Sequence, residues 1–155
     1  MNMMNKLLPL LLILMPLCFA SCEEDESVDP SLMPDATTEG VNTFGCLIDG
    51  WVYTSGRYGL PEVKDESTAE ENRLVIIAPV GLFGEAVRLT LLNPAEGVTC
   101  ACTIEGTAEV REEGQAFISR KDGWIVSGTF SGERVTEGRF DVRYAEPGTG
   151  EVPVE

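Results

Sequence analysis

Thr43-Phe44-Gly45-Cys46-Leu47-Ile48-Asp49-Gly50-Trp51-Val52-Tyr53-Thr54 is the stretch on which the reading of the fold turns. Two β-prone runs flank Asp49-Gly50, and a two-residue type I′ turn needs positive φ at both central positions, which Asp and Gly tolerate. Such a turn sets Ile48 opposite Trp51, Leu47 opposite Val52 and Cys46 opposite Tyr53. Side chains alternate along a strand, so Phe44, Cys46, Ile48, Trp51 and Tyr53 share one face. That face is read as core, with an aromatic platform for a sugar or other ligand as the alternative.

Downstream, Ser55 to Asn72 carries glycine and then Glu62, Asp65, Glu66, Glu70 and Glu71, and reads as a long exposed loop. Arg73 to Ala78 is apolar on both faces, which predicts a central strand ended by Pro79. Val87 to Leu91 alternates and predicts a half-buried strand closed by Asn93-Pro94. Val98 to Ile104, Thr107 to Arg111 and Gln115 to Ser119 are weaker strand signals, followed by a Lys121-Asp122-Gly123 turn. Trp124 to Phe130 sets Trp124, Val126 and Phe130 against Ile125, Ser127 and Thr129. In Arg139 to Tyr144, Phe140, Val142 and Tyr144 face inward, and Arg139, Asp141 and Arg143 form an outward +/−/+ row, read as an edge-strand device or a cross-strand pairing. Seven or eight short strands without a long helix predict an all-β fold, an antiparallel sandwich or a partly open barrel.

Upstream, Lys6 precedes an uncharged apolar run from Leu7 to Ala20, the core of a signal peptide. The run is too short for a bilayer span, which takes about 20 apolar residues. Ala20-Ser21-Cys22 resembles a bacterial lipobox, which implies cleavage after residue 21 and acylation of Cys22. Glu23-Glu24-Asp25-Glu26 resembles the acidic surface-export signal of Bacteroidetes lipoproteins. These resemblances imply a cell-envelope protein, lipid-anchored in the outer membrane and exposed at the cell surface. The expected organisation is a signal peptide over 1–21, Cys22 with a flexible acidic tether over 22–42, one β domain over 43–145 and a tail over 146–155. A coil of that tether length spans about 25 Å on average.

The chain has 26 acidic and 11 basic residues, a formal charge of −15. Loss of the signal peptide removes Lys6 and makes the protein one unit more negative. Nucleic acid is disfavoured as a partner, because its binding rests on cations that neutralise phosphates. There is no histidine, which removes Ser-His and Cys-His nucleophile pairs and the commonest zinc ligand. Gly81-Leu82-Phe83-Gly84 lacks the Gly-Lys-Ser/Thr ending of a phosphate loop. No metal site, cofactor or catalytic residue is expected.

Asn42 to Cys46 with Asp49-Gly50-Trp51, Val126 to Phe130, and Thr136 to Val142 together resemble a family of small Bacteroidetes lipoproteins classed as a domain of unknown function. The resemblance implies an all-β, membrane-anchored domain and assigns no activity.

Beyond the anchor, the cysteines are Cys46, Cys100 and Cys102. In an oxidising compartment an odd count predicts one disulfide and one thiol, or three buried thiols. Cys100 and Cys102 share a strand face, so only one of them reaches Cys46, and Cys46–Cys102 is the candidate bridge. The expected function is a non-enzymatic surface binding module for a glycan, peptide or partner protein. The glycan version rests on whichever of Trp51, Tyr53, Tyr58 and Trp124 is exposed. A structural or accessory component of an envelope complex is the alternative, and a hydrolase of surface polymers, needing a carboxylate pair in a cleft, ranks below it.

Overall fold

A computed structural model describes residues 30–144; the signal segment, Cys22 and the tail over 146–155 lie outside the described residues. Nine antiparallel strands form one sheet: β1 (Thr43–Ile48), β2 (Trp51–Thr54), β3 (Glu62–Asp65), β4 (Arg73–Pro79), β5 (Ala86–Leu92), β6 (Thr99–Gly106), β7 (Val110–Lys121), β8 (Ile125–Ser131) and β9 (Val135–Arg143). Their order is β2-β1-β9-β8-β7-β6-β5-β4-β3, a meander whose last strand returns to pair with the first. The sheet curls into a half-barrel, the partly open form of the expected all-β fold. Its interior is filled by the inward-facing residues of every long strand, among them Phe44, Ile48, Ile76, Leu89, Ile104, Ile118, Val126 and Val142.

The opening hairpin has the register its turn dictates, with Ile48 opposite Trp51 and Cys46 opposite Tyr53. Asp49 and Gly50 hold φ of 52° and 84°, as a type I′ turn requires. Phe44, Cys46 and Ile48 are fully buried and Tyr53 packs against them. Trp51 departs from the expected core face and is 57% exposed, because β2 is an edge strand and Trp51 stands at its turn end.

Two glycines explain how β8 and β9 pack so closely. Phe130 lies directly opposite Gly138, and Phe140 opposite Gly128. A Cβ on Gly138 would fall 2.6 Å from the Phe130 ring, and one on Gly128 2.9 Å from Phe140. Each ring therefore covers the bare backbone of its neighbour, as aromatics do when they shield strand glycines. Phe44 continues the row, with ring centroids 5.3 Å from Phe130, which is 6.2 Å from Phe140. Burial of each ring contributes about 2–3 kcal/mol. Glu137 takes a φ of 53° where β9 bulges against β1, which lets β9 serve β1 and β8 together.

Three sequence expectations are corrected here. Ser55 to Asn72 is not all loop: Glu62–Asp65 pairs with Leu74–Ile77 as edge strand β3, carrying only one apolar residue, Val63, and so no visible alternation. Thr107–Glu109 is a 3-10 turn, and the strand begins at Val110 and runs unbroken through Gln115 to Lys121.

The third concerns the tether. Residues 34–41 are docked as a strap along the convex face, and the Arg139-Asp141-Arg143 row is what holds them. Asp141 is 1% exposed. Its carboxylate accepts hydrogen bonds from Thr37 Oγ1 (2.6 Å), the amides of Glu39 (3.0 Å), Gly40 (2.8 Å) and Val41 (3.3 Å), and Ser127 Oγ (2.6 Å). Arg139 donates to the Pro34 carbonyl, Arg143 to those of Gly40 and Glu39, and Arg120 to that of Thr38. β9 is flanked by β1 and β8, so the row has no edge to protect; it satisfies a chain laid across it. The strap also covers Ile125 and Ser127, buried although they point outward. Gly45 makes room for it, since a Cβ there would lie 2.5 Å from Pro34 Cδ.

Candidate functional site

Of the four aromatic candidates, Trp51, Tyr58 and Trp124 are 57%, 39% and 59% exposed, while Tyr53 packs on the core. They do not converge. Trp51 follows the β1–β2 turn at one end of the half-barrel, and Trp124 sits in the β7–β8 turn at the other. Asp122 shapes that second turn: its Oδ1 accepts the Trp124 and Ile125 amides at 2.8 and 2.9 Å, leaving the indole in solvent. Tyr58 lies under Arg57, whose guanidinium is 5.7 Å from the ring centroid.

The sheet register does assemble another surface. Thr99, Phe117, Thr129 and Arg139 are successive cross-strand partners on β6, β7, β8 and β9. Their outward side chains, with Gln115, Ser131 and Glu137, line a shallow groove of about 340 Å³ on the convex face. Phe117 is 45% exposed at its centre, an apolar ring amid hydroxyls, an amide and an ion pair. Arg139 meets Glu137 at 3.5 Å and reaches the Pro34 carbonyl at 3.0 Å, so the strap fixes the cation at one end of the groove. Sequence reasoning missed Phe117. It lies between buried Ala116 and Ile118, and three apolar residues in a row do not reveal which one points out.

A neighbouring depression holds Glu105, Glu112 and Glu113, but two of these acids are already engaged. Glu105 pairs with Arg111, and Glu112 accepts the Arg134 and Val135 amides that open β9. At the same end, Arg134 binds the Asp49 carboxylate (3.0 and 2.5 Å) and the Ala108 and Glu109 carbonyls, lacing three turns together. The hydrogen bond from Arg134 lowers the pKa of Asp49.

Cys46, Cys100 and Cys102 are all unpaired and buried, which corrects the expected Cys46–Cys102 bridge in favour of three thiols. The reason is topological: β9, β8 and β7 lie between the strands that carry them. Burial pushes the thiols of Cys46 and Cys102 up to about 12 and also raises that of Cys100, so thiolate, the reactive form, is scarce at neutral pH. Among the described residues no group of three His, Cys, Asp or Glu side chains is placed to hold a metal ion.

Fold and groove together define an all-β half-barrel with an aromatic-centred polar groove on its outer face. No family model, curated protein or solved structure matches the chain.

Proposed function

We propose that this protein is a membrane-anchored, non-enzymatic binding module of a bacterial cell surface, and that its convex groove takes a glycan. The observation that carries the reading is the Thr99-Phe117-Thr129-Arg139 row. An exposed ring buries the apolar face of a sugar, and the flanking hydroxyl, amide and charged groups match its hydroxyls. The groove's lining contains a single carboxylate, Glu137, already paired with Arg139. Glycoside hydrolysis needs two, so the arrangement favours binding over cleavage. Anchoring through Cys22 and surface display rest on the lipobox, the acidic run after it and the resemblance to small Bacteroidetes lipoproteins.

The test is titration of the acylated protein with a panel of surface oligosaccharides, read as calorimetric binding and as a shift in melting temperature. A bound saccharide whose affinity falls about tenfold in Phe117→Ala, a loss of about 1.4 kcal/mol, supports the reading, provided the unliganded melting temperature is unchanged. A panel without response, or a response indifferent to Phe117, overturns it.

A further inference from the structure

The β4–β5 hairpin closes at Leu82-Phe83-Gly84, where Phe83 has φ of 60° and Gly84 83°. Positive φ at the first turn position favours Asn, Asp or Gly, and a bulky residue there is strained. Phe83 is also as exposed as a side chain can be, at 103%, and Leu82 is 61% exposed. Tyr58 and Arg57 stand beside the tip, and Leu60 is 64% exposed in the same loop. The β1–β2 turn lies at this end too, and with it Trp51. A residue that is both strained and bare of contacts gains nothing within its own fold, which points to a partner outside it.

We infer that this tip docks into the interfacial zone of the bilayer that holds the lipid anchor, resting on the lipoprotein reading above. The leash argues for lipid. The strap fixes residues 34–41 to the sheet, so Cys22 lies twelve residues from Pro34, a separation of roughly 40 Å at most. The strap starts beside Arg139, four residues along β9 from Val135 at the tip end, about 13 Å of strand. The domain is thus held close enough for this end to touch the membrane. An apolar, convex tip suits a bilayer interface, where Phe, Tyr and Trp bury their rings and Arg keeps its charge at the headgroups. The net charge, −15 over the full sequence and one unit more negative without Lys6, selects neutral or zwitterionic lipid over anionic lipid.

The experiment uses the full acylated chain in phosphatidylcholine vesicles, with Phe83→Trp introduced alongside Trp51→Phe and Trp124→Phe. A second protein carries only Trp51→Phe and so reports from Trp124 at the opposite end. Acyl chains brominated near the headgroup are expected to reduce emission of the tip tryptophan about twofold and to leave Trp124 unquenched; phosphatidylglycerol in the vesicles weakens the quenching. Equal quenching at both ends, or none at the tip, overturns the inference. So does a blue-shifted tip emission that bromolipid does not quench, which marks burial against protein. The acyl mass on Cys22 is measured on the same sample. If it is absent, the anchor reading falls and takes the docking with it, whereas its presence without quenching defeats the docking alone.

Discussion

Replacing Asp141 by Asn changes one atom and tests whether the strap belongs to the domain. Oδ2 accepts from Thr37 Oγ1 and the Glu39 and Val41 amides, and Oδ1 from Ser127 Oγ and the Gly40 amide. A hydroxyl can rotate to accept from an amide NH₂, but a backbone N–H cannot. The least harmful placement puts the new NH₂ on the Oδ1 side, facing the Gly40 amide. One buried donor is then left unsatisfied, at about 1–3 kcal/mol, and the other bonds lose their charge assistance. We expect Asp141→Asn to lose about 2–3 kcal/mol and Asp141→Ala about 4. At about 4 °C per kcal/mol for a domain of this length, the Asn variant melts about 8–12 °C lower. Urea unfolding gives the free energy, and hydrogen exchange at Glu39, Gly40 and Val41 shows whether the strap opens first. A variant within about 0.5 kcal/mol of wild type, with those three amides still protected, refutes the reasoning.

Acid should act on the same latch. Burial opposes the charge on Asp141, but hydrogen bonds from Ser127, Thr37 and the Gly40 and Val41 amides outweigh it, and the folded pKa lies below the ordinary carboxylate value. Its contribution is therefore complete above the unfolded pKa of about 3.9 and is lost as pH falls through the lower folded value. Stability measured from pH 6 downward should decline less steeply in Asp141→Asn than in wild type; parallel curves contradict the assignment. Gly138→Ala places a methyl against the Phe130 ring and should lose about 2–3 kcal/mol by overpacking, part of it regained in Gly138→Ala with Phe130→Leu, as a double-mutant cycle in urea reports. Titration with a thiol reagent should find Cys46, Cys100 and Cys102 unreactive in the native protein and all three reactive after denaturation under non-reducing conditions; one reactive thiol among them restores the disulfide.

The hairpin at Asp49-Gly50 and the alternating strands β5, β8 and β9 were legible because turn chemistry and period-two patterning act within a few residues. β3 was not, since an edge strand exposed on both faces needs no apolar pattern and is defined by the hydrogen bonds that β4 offers it. The strap was illegible for a different reason. Pro34 to Val41 has the composition of a linker, and only the fold brings Asp141, Arg139 and Arg143 under it from across the chain. The charge row stood out in the sequence, yet its purpose depended on knowing that β9 is interior. Exposed aromatics were sought among tryptophans and tyrosines, and the register instead centred the groove on Phe117. The disulfide expectation failed because shared strand faces say nothing about how many strands intervene.

The pairing of β1 with β9 carries a consequence for biogenesis. β3 to β9 are sequential neighbours, so that part of the meander can zip up as successive hairpins while the chain emerges. The N-terminal hairpin cannot join it early. Its ladder partner, and the carboxylate that ties down the strap, are contributed about a hundred residues later. Closing so long a loop is slow relative to local pairing. The hairpin made before the rest of the sheet is therefore among the last elements to be fixed in place. A chain halted before Val135 would carry an unpaired β1 edge and an undocked strap, a state open to chaperones and proteases until the final strand arrives.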